Sequence, residues 1–317
     1  MSDLPLIQAD RAVPPPATPT TGGRRRRLRL LSRTDRVVIT LMVLVPLLLV
    51  TAFVWLPAAA TVVLSGTDWD GIGPLNEIDF VGARNYSDVV NIYPPFVPAV
   101  QNNLLWLAVL FLVATPFGMF LAVLLDKELR GSRFYQTALY LPVVLSLALI
   151  GFVWQLLYSR DQGLINAVFG SSIDWYGDSN VNIWAVMVAS GWRHVGYIML
   201  LYLAGLKGVD PSLREAAAVD GASESRTFFR VVFPVLRPIN VIVLVVTVIE
   251  SLRAFDLVWV VNKGRNGLEL ISALVTQNVV GEASRIGFGS ALATIMLVVS
   301  LVFITIYLAT VMRENRQ

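Results

Sequence analysis

From Val37 to Ser65 the chain carries no charged side chain. Few environments accept such a run: crossing the apolar interior of a bilayer takes about 20 predominantly apolar residues, and a helix apolar on every face belongs in lipid or a large core. Five more long, mainly apolar runs follow, near 100–125, 134–158, 181–206, 239–261 and 288–312. In hydrocarbon each backbone N–H and C=O has to be satisfied within its own segment, so runs of this length are read as helices. Composition agrees, with 56% hydrophobic residues, 15% charged residues and a mean hydropathy of +0.66. The pattern predicts an all-α polytopic membrane protein whose six transmembrane helices occupy 37–312, with a short C-terminal piece, 313–317.

Residues 1–36 differ. Pro14, Pro15, Pro16 and Pro19 precede Arg24 to Arg27, and a segment with so little apolar surface predicts a disordered basic tail. The apolar run behind it is too long for the core of a cleaved signal peptide. Charge placement then predicts orientation. Of 25 Lys and Arg, 18 fall on one side (the tail, the turn 126–133, the stretch 207–238 and the C-terminus), 5 on the other and 2 within spans. Positive residues favour the cytoplasmic side, so both termini and the 207–238 stretch are expected in the cytoplasm. The pI near 9.3 then reflects orientation and not nucleic-acid binding. With no cysteine, disulfides and thiolate chemistry are excluded.

The stretch 210–238 is more elaborate than a connector requires. Asp210-Pro211 is a helix start, with an Asp N-cap and a proline at the first helical position. Leu213, Ala216 and Ala217 fall on one face, flanked by Glu215 and Asp220, and Gly221 is placed to end the helix. Ser223 is suited to cap a second helix whose apolar face is built from Phe228, Phe229 and Val232, and Pro234 and Pro238 are read as its stop. The alternative reading is a solvated loop lying on the membrane.

These residues carry a resemblance. Glu215-Ala216-Ala217, Asp220-Gly221-Ala222, Phe228 and Pro234 resemble the EAA loop of binding-protein-dependent ABC importer permeases, with Phe233-Pro234 where the family usually has Leu-Pro. Phe80 to Tyr86, Gly163-Leu164-Ile165-Asn166, Ala204-Gly205-Leu206 and Phe255-Asp256-Leu257-Val258 are similar to elements of the carbohydrate branch. Within that branch the chain most resembles the first permease of maltose and glycerol-phosphate importers. It departs at Lys263-Gly264-Arg265-Asn266-Gly267, where the family often has a GGGP-like run. The resemblance implies a type I importer permease fold in a bacterial or archaeal plasma membrane. It also implies a loop, 210–238, that couples to a separate ATPase through Glu215, Ala216, Ala217, Asp220, Gly221, Phe228 and Pro234. The partners implied are a second, different permease, two nucleotide-binding ATPase subunits and an extracytoplasmic solute-binding protein, besides membrane lipid. The sequence has no Gly-Lys dipeptide and hence no phosphate-cradling P-loop of that type. No cofactor is expected on this chain, ATP and Mg belonging to the partner ATPase.

Charged groups within spans disfavour insertion by about 2.5–3.5 kcal/mol each and default to functional hypotheses. Glu250, Arg253 and Asp256, spaced i, i+3, i+6, read as one face of span five. They form either a self-neutralising ladder or a polar wall for substrate. Trp192 and Arg193 in span four, with Asn103, Trp154 and Gln155, complete the substrate-path candidates. His194 is the only histidine, so no metal site is expected, and it reads as a packed structural residue. The function implied is import of a sugar by alternating access. The alternatives are an ion-coupled secondary carrier using Glu250 or Asp256, and a scaffold that recruits a cytoplasmic protein. No nucleophile–base constellation points to an enzyme.

Overall fold

A computed structural model describes residues 32–74, 78–127, 130–281 and 284–314. Most of the tail expected over 1–36, and the last three residues, lie outside that range. Among the described residues the secondary structure is helical, apart from an isolated antiparallel bridge between Thr67 and Phe80. The chain divides into two compact units, 1–55 and 56–317.

The first unit contains α1 (Arg33–Val50), which runs into a π-helical turn, Thr51–Trp55. The helix starts ahead of the expected Val37 because Ser32 caps it. The Ser32 hydroxyl accepts the Thr34 N–H at 3.3 Å, and the Asp35 carboxylate accepts the Ser32 N–H at 3.0 Å. These satisfy backbone donors that an uncapped helix leaves open. Every described residue of this unit is exposed, and most are large and apolar.

The second unit comprises α2 (Leu56–Leu64), α3 (Arg84–Asn91), α4 (Phe96–Asp126), α5 (Ser132–Val144), α6 (Leu147–Leu157), α7 (Leu164–Phe169), α8 (Asn182–Lys207), α9 (Pro211–Val219), α10 (Glu224–Val235), α11 (Arg237–Leu252), α12 (Asp256–Asn262), α13 (Ile271–Val279) and α14 (Ile286–Glu314). Its centre is α8 packed along α4, where Gly118 lets the backbones close. A Cβ there would meet the Val195 carbonyl oxygen and Ile198 Cβ at 2.9 Å. Small residues give membrane helices this kind of approach. A central cluster (Trp106, Ile150, Val186, Leu257, Val258) is flanked by one toward Asp126 (Leu125, Met199, Val232, Leu236) and one toward Phe96 (Val89, Ala99, Leu274, Leu292).

Arg33–Leu64, Phe96–Asp126 and Ile286–Ile306 are unbroken and apolar enough to cross a membrane; two bent pairs raise the number to at most five. The expected span 134–158 is one of these pairs, α5 and α6, bent by 103°. Leu145 and Ser146 are extended there (ψ 145° at both), and the Ser146 hydroxyl caps α6 by accepting the Leu149 N–H at 3.2 Å. With 13 and 11 residues, neither helix alone reaches the ~30 Å of a bilayer core. The span expected over 181–206 is the unbroken α8, whose 26 residues measure about 39 Å. Arg193 and His194 at its middle lower its hydropathy, so length and composition together do not count it.

Span five departs from expectation as well. The helix ends at Arg253 and restarts at Asp256, with Phe255 at φ −142°, ψ −59°. Glu250, Arg253 and Asp256 therefore do not share one helical face. The carbonyls freed at the break find side chains: Ser251 O accepts from Asn103 Nδ2 at 3.1 Å, and Ala254 O from the Ser272 hydroxyl at 2.5 Å. Irregular backbone at membrane depth needs such replacements.

Candidate functional site

The 210–238 stretch folds as its cap residues dictate. Asp210 accepts the Ser212 N–H at 2.9 Å ahead of Pro211, the first residue of α9. At the other end Gly221 takes φ +73°, and its N–H reaches Ala218 O while the Ala222 N–H reaches Ala217 O, both at 3.0 Å. That pair of bonds is a Schellman closure, and its left-handed position is why glycine stands there. Ser223 then caps α10 by accepting the Arg226 N–H at 3.4 Å.

The second helix differs from the sequence expectation in two respects. Phe228 and Val232 point into the cluster around Leu125, Met199 and Tyr202, whereas Phe229 is 61% exposed, so the three do not form one face. Pro234 does not stop the helix. A π-helical turn, Phe228–Val232, widens the ladder just before it, and the helix continues to Val235. The chain then bends by 76°, and Pro238 lies in the first turn of α11, opening that helix.

Ion pairs lock this double helix to the rest of the unit. Asp126, ending α4 with its side chain only 8% exposed, accepts from Arg214 Nη1 at 2.8 Å and pairs with Lys207 Nζ at 3.4 Å. Next along the chain, Lys127 Nζ meets Glu224 Oε2 at 2.6 Å. Glu224 and Asp210 both titrate below their ordinary values. The first is held down by the hydrogen bond and charge of Lys127, the second chiefly by the Ser212 N–H it accepts. Sequence reasoning treated 126–133 only as a basic turn and missed these anchors. The available signal was a lone carboxylate closing a long apolar run, matched by cations in the 207–238 stretch. Glu215, Ala216, Asp220, Gly221 and Pro234 remain exposed, with Val219 at 88%, while Ala217 is buried and Phe228 half-buried. One end of the bundle thus presents a stiff, capped helix pair with an outward surface of small, acidic and apolar residues.

The other candidates separate into three groups. Arg193 Nη1 and Glu250 Oε2 lie 3.4 Å apart, with side chains 24% and 32% exposed. Beside Arg193 in sequence, Trp192 meets Trp154 edge-on at 5.9 Å. Arg193 Nε and Trp154 Nε1 are shielded without a hydrogen-bond partner among the described residues. Asn103 and Gln155 are committed to backbone: Asn103 receives the Ile271 N–H at 3.0 Å as well as bonding Ser251 O, and Gln155 donates to Val260 O at 2.9 Å. Arg253 is exposed at the helix break, and Asp256 opens α12 beyond it. His194 is 4% exposed and sits 3.2 Å from the Thr247 hydroxyl and 3.5 Å from that of Thr115, knitting three helices together.

Two motif elements prove to be loop organisers. Asn85 donates to the Ser65 and Thr67 carbonyls at 2.9 and 2.7 Å. Asn166 bonds the Arg160 and Ile173 carbonyls, the Ser171 hydroxyl and the Trp175 indole. Buried amides with this many partners hold backbone in place.

Comparison with known proteins supplies the family. The family described as "Binding-protein-dependent transport system inner membrane component" matches residues 20–314. The xylose/arabinose import permease protein XacH of Haloferax volcanii is 31% identical over 274 residues, covering 83% of this chain and 84% of that protein. The arabinooligosaccharides transport system permease protein AraP of Halalkalibacterium halodurans is 30% identical, covering 76% and 79%. The trehalose/maltose transport system permease protein MalF of Thermococcus litoralis is 28% identical, covering 84% and 91%. In fold, the chain is similar to a chain of a bacterial ABC transporter involved in importing the acidic polysaccharide alginate. That match has a TM-score of 0.76 at 17% identity and covers 88% and 96% of the two chains. The chain belongs to the family of binding-protein-dependent transport system inner membrane components, the membrane-embedded permeases of ABC importers.

Proposed function

We propose that this permease moves a mono-, di- or oligosaccharide into the cytoplasm. The relatives named for pentoses, arabinooligosaccharides and trehalose/maltose support a sugar. The observation that carries the coupling reading is the α9–α10 pair, fixed to α4 by Asp126 and Lys127 while Glu215, Ala216, Asp220 and Gly221 face outward. The chain is a non-catalytic subunit. ATP and Mg act in two partner ATPases, and the α9–α10 pair seats on one of them. Only a stiff element passes on a displacement, and capping at both ends of α9 with ion pairs beneath makes it one.

Six spans complete the topology, with α8 as the one whose central polar residues face the interior of the assembly and not lipid. The N- and C-termini and the 210–238 loop are cytoplasmic by the distribution of Lys and Arg. The exposed apolar α1 suits lipid and a second permease. Of the substrate-path candidates, Trp154, Trp192, Arg193 and Glu250 form the working group: an indole face for a sugar ring and charged groups for its hydroxyls. Glu250 already pairs with Arg193, which disfavours it as the ion site of a secondary carrier.

Co-reconstitution in liposomes tests this. With both permeases, the ATPases and the solute-binding protein present, uptake of labelled arabinose, xylose or maltose is expected only with ATP. Uptake by this chain alone, indifferent to ATP, refutes it.

A further inference from the structure

Asp126 ties α4 to the coupling loop; at the opposite end of α4, near Phe96, lies a cavity that no role above uses. It has a volume of about 340 Å³ and opens between the loop after α2, helix α3 and the first turn of α14. Its aromatic wall is Trp69, Tyr93 and Phe288, the last two edge-on at 5.2 Å.

Arg285 is held against that wall. Its guanidinium carbon sits 4.7 Å from the Phe288 ring centre and 5.9 Å from that of Tyr93, and its Nη2 donates to Asn278 Oδ1 at 2.8 Å. Asn278 is itself 1% exposed and fixed by bonds to the Tyr93 hydroxyl (3.1 Å) and Leu274 O (2.7 Å). A guanidinium has five donors, and among the described residues only one of them is taken, by Asn278. Arg84 and Asp88 form a loose pair at 3.8 Å on the α3 side, and Asp68 faces the cavity from the loop. Trp69 Nε1 is shielded with no partner among the described residues.

The lining chemistry selects a ligand. Two arginines and two aspartates cancel, so neither a simple anion nor a simple cation gains a net attraction. Donors (Arg84, Arg285) and acceptors (Asp68, Asp88) surround an aromatic face. A hydroxyl both donates and accepts, and the C–H face of a sugar ring packs on indole. The volume lies at the small end of ligand pockets, about 300–1,000 Å³. We propose that this cavity binds a neutral polyhydroxylated ring, a single sugar unit, at a site separate from Trp154, Trp192, Arg193 and Glu250. The lining carries the inference, so loss of ATP-driven sugar uptake and loss of binding here are distinguishable results.

The test is photolabelling of the assembled complex in nanodiscs, without solute-binding protein, by a diazirine derivative of D-xylose. Label is expected on peptides containing Trp69 or Arg285–Phe288, displaced by excess unlabelled D-xylose or maltose. It should fall at least fivefold in Trp69→Ala and Arg285→Ala. Asp88→Asn, which keeps size and leaves the Asn278 network intact, should reduce it about threefold and guards against misfolding of the other two. Three results overturn the proposal: label confined to the spans, label displaced by glycine betaine but not by sugars, or label unchanged in all three variants. A solute-binding protein that cross-links at Arg285 while sugars leave no label there would assign the cavity to protein docking and also overturn it.

Discussion

Replacing Asp126 by Asn keeps the shape of the side chain and removes its charge, which isolates the electrostatic latch between α4 and the 210–238 loop. The acid is 8% exposed, while its partners Arg214 and Lys207 are 41% and 50% exposed. Breaking one end of a fully buried pair costs about 3–5 kcal/mol, and an exposed pair contributes about 0.2–1 kcal/mol. With a buried acid and half-solvated cations, D126N falls between, at about 1–2 kcal/mol. That is a five- to thirty-fold shift toward an undocked loop. Hydrogen exchange on the assembled complex in nanodiscs reads this directly: the amides of residues 212–219 should exchange about tenfold faster in D126N. The difference should narrow in high salt, because the cations are half in water. On the coupling role proposed above, ATP hydrolysed per solute imported should rise, since a loosened lever would still meet the ATPase but pass on less of its motion. Equal exchange in D126N and the unaltered protein refutes the latch, whatever the uptake rate does.

Three further predictions follow from the same geometry. Gly221→Ala meets no atom within 4 Å but must hold φ +73°, so it should destabilise the α9–α10 turn by about 1–2 kcal/mol; Gly221→Asn should do so by less, and equal exchange rates in the two variants contradict this. Asp210 and Glu224 titrate below their ordinary 3.8 and 4.5. A depressed carboxylate stabilises fully above its unfolded value and loses that contribution as pH falls through the folded one. Loop protection should thus be flat from pH 7 to 5 and decay below about pH 4, with E224Q removing the Glu224 share; a decline near pH 6 speaks against these carboxylates. Gly196→Ala would drive a methyl into the Leu139 carbonyl and should cost about 1–3 kcal/mol of stability, read as a lower melting temperature in detergent; an unchanged one would show that α5 does not pack this closely on α8.

Helix content, the cap residues and the family were legible because each depends on local chemistry. Asp210-Pro211, Gly221 and Ser223 act within four residues of themselves, and the structure uses all of them as the sequence implied. What escaped is non-local or hydrogen-bonded at a distance. The break at Arg253–Phe255 is stable only because Asn103 and Ser272, far away in sequence, take its free carbonyls. From spacing alone Asn103 reads as a polar group awaiting substrate, and Glu250 to Asp256 as a ladder. Arg193 finds Glu250 on another helix, a pairing invisible to i, i+3 counting. The cavity beside α3 was unreadable for the same reason, since α3 and α14 lie nearly 200 residues apart.

Pro234 was a local signal misread, and the reason has a testable consequence. Proline inside a helix removes an N–H and crowds the carbonyl four residues back, which is why Pro234 reads as a stop. Here the π-helical turns Thr51–Trp55, Leu110–Ala114 and Phe228–Val232 each end two residues before a proline, Pro57, Pro116 and Pro234. A π turn holds one extra residue; it gives the proline room, and the helix passes through. One residue is about 100° of rotation. Pro234→Ala would let Phe228–Val232 close to an ordinary α ladder and turn Glu224 away from Lys127 by about that angle. The chain has no cysteine, so K127C/E224C joined by a short bismaleimide, which adds one cysteine thiol at each end, reports the orientation without background from this chain. Cross-linking should be efficient with Pro234 and several-fold lower with alanine there, accompanied by weaker coupling of ATP hydrolysis to uptake. Equal cross-linking would mean that the wide turn is set by the packing of Phe228 and Val232, and that the proline merely tolerates it.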